Sequence, residues 1–279
     1  MLDSVVSCLA FVALCAGAWG GRVLFLQLPV VHRNRDTLDF ARVVSALLVT
    51  FTALVLSLLL STVNGDFRRV ETDMRKYGAM ITELDGELRA FGPGADDIRV
   101  LLKRYTGIAI ASTWRDEPSP PGVDPHDIRR SDEIDSIPLG DLLRQAETGI
   151  RRLVPSGAEA ERAQSAALAR MSTLLDQRDC LIGEAHTTLP IPLLVILLAW
   201  LVIVFCGFGM TAPANATSLV TLGLVAVSVA AAFFVILELD GPLDGVIQVS
   251  SEPLRRTLLH LTLLPPEAVS PHGAMSPQG

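Results

Sequence analysis

Hydrophobic and polar positions along this chain are segregated into long blocks. Two uncharged runs lie near its start, at residues 4–21 with 18 positions and at residues 43–65 with 23. A helix rises about 1.5 Å per residue, so about 20 helical residues cross the roughly 30 Å hydrocarbon core of a bilayer. Each run therefore predicts one transmembrane helix, and residues 1–65 are predicted to hold the first two spans.

A third uncharged run, residues 187–237, has 51 positions without Asp, Glu, Lys or Arg. As one helix it would be about 77 Å long, more than twice the thickness of the hydrocarbon core. Two glycines, a proline and an asparagine within residues 206–218 favour a turn there. Residues 187–240 are therefore predicted to hold two more spans, at about 190–209 and 218–237, which makes four.

The segment between the second and third spans, residues 66–186, is mostly polar and has a helical pattern. From Val63 onwards, apolar residues recur at alternating steps of four and three positions. We call them the heptad seam: Phe67, Val70, Met74, Tyr77, Ile81, Leu84, Leu88 and Phe91. This seven-residue repeat is typical of coiled-coil-like packing. It predicts that the second span continues as one helix over residues 63–91, with the seam against other helices.

The rest of the insert is predicted to be helical as well. Gly92 and Pro93 end the long helix, and Asp96 can cap a next helix that runs to about Trp114. After a proline-rich loop, two helices are predicted at about residues 139–153 and 158–185. Residues 241–279 form a tail that its Pro, Ser and Gly content predicts to be disordered after about residue 264.

The predicted fold class is therefore all-α: an integral membrane protein with four transmembrane helices and a helical soluble insert between spans two and three. Composition agrees, because 19% of the residues are charged where soluble domains have about 25%. Asp3 and the absence of Lys or Arg before the first span argue against a cleaved signal peptide. The formal net charge of −7 and the lack of a basic stripe argue against a nucleic-acid partner.

Membrane orientation stays open at this stage. Lys and Arg counted on short loops favour a cytoplasmic first loop, because that loop has four arginines and the C-terminal tail has Arg255 and Arg256. The first-loop arginines are Arg22, Arg33, Arg35 and Arg42. When the Lys and Arg residues of the long insert near the membrane are counted too, the count favours a cytoplasmic insert instead.

Residue patterns typical of catalysis are not found. The five histidines include no pair three or four positions apart, and the four cysteines form no ligand-like spacing. Residues 207–212 match GxGxxA, but they follow a membrane span rather than a strand, so a dinucleotide site is not indicated. We predict no enzymatic activity and no cofactor.

The fourth span ends on carboxylates rather than on Lys or Arg. The acidic cluster consists of Glu238, Asp240, Asp244 and Glu252. An acid at a helix C-terminus faces the negative end of the macrodipole, at a cost of about 0.3–1 kcal/mol when exposed. Three roles are consistent with the pattern: salt bridges to Arg255, Arg256 or an arginine of the insert, electrostatics at a pore mouth, or binding of a metal cation, whose identity is unknown.

Small and weakly polar residues follow one face of the second span. At about 100° per residue, six of them fall within an arc of about 80°. We call them the small-residue stripe: Ala46, Thr50, Ala53, Ser57, Ser61 and Asn64. Such a stripe either packs against another helix, since small residues let backbones approach, or lines a narrow aqueous path. In an oligomer it can do both.

The C-terminal part of the sequence carries a specific resemblance. Residues 215–258, with the preceding GFGMTAP, resemble the signature of a bacterial family of four-span proteins of unknown function that is classed as bestrophin-like. The similarity extends to residues 38–63, 91–114 and 191–209. Its most specific part is ELD-x-P-x-x-G followed by S-x-E-P-L, and family members often carry Phe where Leu243 stands.

The resemblance implies an oligomeric anion-conducting channel in the cell (inner) membrane, with the second span along the path and the insert in the cytoplasm. Bestrophins hold Ca²⁺ in an acidic clasp; Glu238, Asp240 and Asp244 are the place to look for an analogue, but no motif here matches that clasp residue by residue. The alternative function is a non-conducting membrane sensor or scaffold, whose insert binds a protein partner through Tyr77, Ile81 and Leu84. Predicted partners are thus the lipid bilayer, further copies of this chain and a protein at the insert.

Overall fold

The computed structural model describes residues 2–29, 35–124, 137–185, 191–213, 215–243 and 245–263. The helices of this part of the chain are α1 (Leu2–Gln27), α2 (Arg35–Phe91), α3 (Asp96–Thr113), α4 (Ile137–Arg152), α5 (Ala158–Ala185), α6 (Ile191–Thr211), α7 (Ala216–Asp240) and α8 (Glu252–Leu263). A short 3-10 helix, Pro93–Ala95, joins α2 to α3. The predicted disorder after residue 264 and the acidic residue Asp244 lie outside the described residues.

The predicted all-α membrane fold is confirmed over these ranges, which contain no strand. Four helices, α1, α2, α6 and α7, are long and apolar enough to cross a membrane. The helix α2 runs without interruption through 57 residues, so the apolar second span and the heptad seam lie on one helix. Two compact units result: a membrane unit of residues 1–69 and 186–248, and a helical unit of residues 70–185 and 249–279.

The membrane unit is built on α1, which packs against both α6 and α7. Its core includes Leu14, Leu197, Phe205 and Phe233, joined from α2 by Leu59. These side chains are apolar, so the core is held by close packing rather than by water-driven burial once lipid surrounds it.

Glycines let the backbones of α1 and α6 touch. A Cβ atom built on Gly17 would lie 2.9 Å from the carbonyl oxygen of Val202, and one on Gly21 would overlap the carbonyl of Cys206. From the other side, a Cβ on Gly209 would overlap the carbonyl of Ala18. Gly17 and Gly21 are four positions apart on one helix face, which is the spacing by which small residues create a close helix crossing.

The helical unit has the heptad seam at its centre. Val70, Met74, Tyr77, Ile81, Leu84 and Leu88 are all buried within the chain. Three contacts show what covers this part of α2. The Tyr77 hydroxyl meets that of Tyr105 on α3, Glu83 pairs with Arg170 on α5 at 2.9 Å, and Thr257 on α8 donates to the Gly78 carbonyl at 2.9 Å.

Burial of the seam argues against the expectation that a protein partner binds through Tyr77, Ile81 and Leu84. Tyr77, Ile81 and Leu84 each have 0% of their surface exposed. A residue with no accessible surface cannot contact a second molecule unless the unit opens. The seam is therefore the internal core of the helical unit and not a docking surface.

Polar contacts hold the start of α8 on the end of α3. The indole Nε1 of Trp114 donates to the Val249 carbonyl at 2.7 Å, and both residues are buried. Glu117 accepts hydrogen bonds from the Ser251 hydroxyl at 2.5 Å and from Arg255 Nε at 2.9 Å. The S-x-E-P-L segment thus lies within a network whose partners are more than a hundred positions earlier in the chain.

Candidate functional site

The small-residue stripe lies on a wide surface of α2 that the rest of the chain leaves open, together with large apolar residues such as Phe51 and Leu54. All six of its residues are exposed. Thr52, Leu59 and Val63, on another face of the same helix, are buried. A Cβ on Gly207 of α6 would overlap the Ser45 hydroxyl, so α2 closely approaches α6 on that other face. The stripe is consequently not the surface through which α2 packs within its own chain.

Hydroxyl groups on α2 are partly satisfied by the helix itself. Thr50 donates to the Ala46 carbonyl at 3.0 Å, and Thr52 donates to the Leu48 carbonyl at 2.7 Å. Such bonds to the preceding turn lower the cost of placing a hydroxyl in an apolar medium. The stripe can therefore face lipid, another helix or water, but an exposed Asn64 amide gains most from the latter two.

Glu238 is a buried carboxylate whose partners are backbone amides. It sits in the last turn of α7 with 4% of its surface exposed. Its Oε1 accepts hydrogen bonds from the amide of Val246 and from that of Ile247, the latter at 3.4 Å. The salt-bridge hypothesis is thus replaced for Glu238: Arg255 pairs with Glu117 and Arg256 with Glu252, whereas Glu238 binds the turn that follows it.

Gly245 completes this arrangement. Its backbone has φ of 94°, in the region that favours glycine, and a Cβ there would overlap Glu238 Oε1. The carboxylate can reach the amides of residues 246 and 247 only because position 245 has no side chain. The Glu and the final Gly of the ELD-x-P-x-x-G motif therefore act as one structural unit.

The remaining acidic residues are not gathered into a described cation site. Asp240 is half-buried in the last turn of α7, and Glu252 opens α8, where it forms an exposed pair with Arg256 at 2.7 Å. Among the residues that the structure describes, no group of three or more His, Cys, Asp or Glu is arranged to hold a metal ion. Leu243, at the position where the family often has Phe, is buried.

Two buried polar pairs escaped the sequence analysis. Arg99 on α3 donates from Nε to Asp85 on α2 at 2.8 Å, and both side chains are almost fully buried. Burial alone would lower the pKa of Arg99, but the hydrogen bonds and negative charges of Asp85 and Asp96 together outweigh burial and raise that pKa. Arg99 therefore stays protonated, and its ion pair with Asp85 links α2 to α3.

The second pair joins Tyr77, in the charged part of α2 beyond Gly65, to Tyr105. Their hydroxyl oxygens are 2.5 Å apart. Burial raises the pKa of Tyr77 well above its usual value, and the neighbouring Tyr105 raises it further. Burial also raises the pKa of Tyr105, although hydrogen bonds with Tyr77 and Arg178 oppose that rise. A seam position with a tyrosine instead of an aliphatic residue was the one sequence signal for this pair, because a buried hydroxyl needs a partner.

Comparison with known proteins identifies a family for this chain. The family model described as "Bestrophin-like domain" matches residues 12–254, from within α1 to the first turn of α8. Neither the curated proteins nor the solved structures include a match to this chain. The family match covers most of α1, the whole of α2, α6 and α7 and the helices between them, and the chain belongs to the bestrophin-like family.

Proposed function

We propose that this chain forms an oligomeric, anion-conducting channel in the cell membrane, with α2 lining the path. One observation carries the proposal: the small-residue stripe is wholly exposed on the least buried of the four apolar helices. In the most apolar window of α2, 11% of the residues are buried, against 22–28% in α1, α6 and α7. A helix face with Ser57, Ser61 and Asn64 is better matched to water or to another polar helix than to hydrocarbon.

In an oligomer, α2 could contact both water and a helix of a neighbouring chain. A ring of chains would cover the flanks of α2 and leave the stripe towards the central axis, as the resemblance to bestrophins implies. The proposed anion preference comes from that resemblance, and the proposed cytoplasmic position of the insert comes from it as well. The insert has no role in conduction under this proposal beyond the stability that its buried core provides.

Planar bilayers that contain the purified protein test conduction directly. We expect channel currents whose reversal potential in a potassium chloride gradient lies towards that of chloride. Ser57→Leu should reduce the current severalfold, because it places a bulky apolar side chain in the stripe. Leu58→Ile is the matched control, since Leu58 is 68% exposed outside the stripe and the change conserves volume.

The oligomeric state in detergent is the second measurement. A pentamer would support the channel, and a monomer that is folded but silent in bilayers would refute it. Equal currents from Ser57→Leu and the native protein would refute the assignment of α2 as the lining helix. The alternative function, a non-conducting membrane sensor or scaffold whose insert binds a protein partner, loses Tyr77, Ile81 and Leu84 as its binding surface, because those residues are buried.

A further inference from the structure

A groove opens into the membrane unit between α1 and α7, at the end where α6 turns into α7. It has a volume of about 410 Å³. Its walls are mostly apolar and include Ala18, Phe205, Leu219, Leu222, Gly223 and Ala226. Trp19 and Leu219 at its edge are 72% and 75% exposed, so the groove communicates with the surroundings of the helices. Its size and lining suit a hydrocarbon chain.

Arg22 gives the groove one polar end. It directly follows the uncharged run of the first span, which places it at the boundary of the hydrocarbon core. Its Nη1 donates to the Ala212 carbonyl at 3.2 Å, which fixes the guanidinium against the end of α6. A guanidinium has five N–H donors, so donors remain for a ligand.

The electrostatic surroundings of Arg22 favour an anion. Residues 187–237, which supply the α6 and α7 sides of the groove, contain no Asp or Glu. The groove also includes the first residues of α7, Ala216 and Ser218, and the N-terminal end of a helix carries partial positive charge. Arg22 makes no ion pair with a carboxylate in the described part of the chain.

We propose that this groove binds one anionic phospholipid, with an acyl chain between α1 and α7 and the phosphate on Arg22. The positive charge of Arg22 favours an anionic headgroup. The apolar walls favour a lipid over a free anion, because only a lipid has an acyl chain that covers these walls. Basic residues in pockets between transmembrane helices bind anionic headgroups in other membrane proteins. The inference is independent of whether the protein conducts ions.

Fluorescence of Trp19 reports on the groove. The chain has three tryptophans, and Trp200→Phe would leave Trp19 and Trp114, of which Trp114 is buried in the helical unit. The full-length variant is placed in vesicles of phosphatidylcholine with brominated chains, which quench Trp19. Unbrominated phosphatidylglycerol should then relieve the quenching about fivefold more effectively than unbrominated phosphatidylcholine with the same chains, as expected for one arginine contact.

Two substitutions separate the headgroup contact from the groove. Arg22→Gln should reduce the preference for phosphatidylglycerol to about one, and Arg22→Lys should retain part of it, because the charge remains. Gly223→Leu should lower the quenching of Trp19 by the brominated phosphatidylcholine, because it fills the groove. A Cβ on Gly223 meets nothing within 4 Å, so this variant tests the site even if Arg22→Gln does not fold.

Four outcomes would overturn the proposal. Equal displacement by the two lipids would mean that only the general lipid annulus contacts Trp19. An undiminished preference in folded Arg22→Gln would exclude Arg22 as the headgroup ligand. Loss of the preference in excess inorganic phosphate would indicate a small-anion site rather than a lipid site. A Gly223→Leu variant with altered oligomer size and unchanged quenching would show that a second copy of the chain occupies the groove.

Discussion

At the scale of single residues, Glu238 answers why an apolar span ends on an acid. A carboxylate in the last turn of a helix opposes the macrodipole, at a cost of about 0.3–1 kcal/mol for an exposed group. Glu238 offsets this cost by accepting hydrogen bonds from the backbone amides of Val246 and Ile247. The acid therefore fixes the path of the chain as it leaves α7.

We expect Gly245→Ala to destabilise the protein more than Gly122→Ala. Both glycines have positive φ, 94° and 86°, so each substitution carries a backbone cost of about 1–2 kcal/mol. Only at position 245 would the new Cβ overlap Glu238, whereas a Cβ on Gly122 meets nothing within 4 Å. Thermal unfolding of the purified protein in detergent, followed by circular dichroism, measures the difference.

The Glu238→Ala background provides the control for this prediction. Once the carboxylate is absent, Gly245→Ala should cost no more than Gly122→Ala, because only the backbone penalty remains. An unchanged extra cost of Gly245→Ala in that background would contradict the coupling of Glu238 to Gly245.

At the scale of helices, two kinds of packing operate in one chain. The membrane unit uses glycine to bring α1 and α6 into backbone contact, since lipid removes the hydrophobic gain from burying large side chains. The helical unit instead buries large residues such as Tyr77 and Leu84 along α2. Because α2 takes part in both units, its apolar and heptad segments follow different packing rules on one continuous helix.

Adjacent glycines on α1 should respond in opposite directions to alanine. Gly20→Ala should raise stability by about 1 kcal/mol, because alanine favours the helix and the new Cβ meets nothing within 4 Å. Gly21→Ala should lower it by about 1–3 kcal/mol or more, because the Cβ overlaps the Cys206 carbonyl and a backbone atom cannot rotate away. Thermal midpoints of the two variants in the same detergent decide the matter, and equal increases would disprove the close α1–α6 contact.

Helix faces were only partly predictable. The four–three spacing identified the buried face of α2 in the helical unit. In water, the apolar face of a helix must be buried against other segments, whichever segments those are. The identity of that cover, α3, α5 and α8, depends on residues far along the chain. The four-position spacing of Gly17 and Gly21 is a sequence signal for the packing face of α1, because small residues at this spacing let two helices approach closely.

At the scale of the whole molecule, a chain that crosses the membrane with all four apolar helices would have its α6–α7 turn and its insert on opposite sides. We expect Ser119→Cys to react with a membrane-impermeant maleimide only after right-side-out vesicles are permeabilised, because the insert is proposed to be cytoplasmic. Asn215→Cys, at the start of α7, should react in intact vesicles. Both sites are exposed, and Cys180, which is exposed in the helical unit, is first replaced by serine.

The reverse labelling pattern would place the insert outside and contradict the orientation implied by the family. Labelling of both cysteines in intact vesicles would contradict four spans. The two positions are separated by α6, and they could lie on the same side only if α6 did not cross the membrane. The same two variants therefore test the orientation and the span count.

The sequence by itself determined the fold class, the four apolar helices and the buried face of the insert. Each of these follows from the local solvation cost of apolar side chains and backbone groups, which neighbours along the chain already reveal. Only the tertiary structure decided that Glu238 binds backbone amides and that α2 leaves the small-residue stripe uncovered. Those features depend on which distant segments meet, and a pattern of residue types does not record the distances between them.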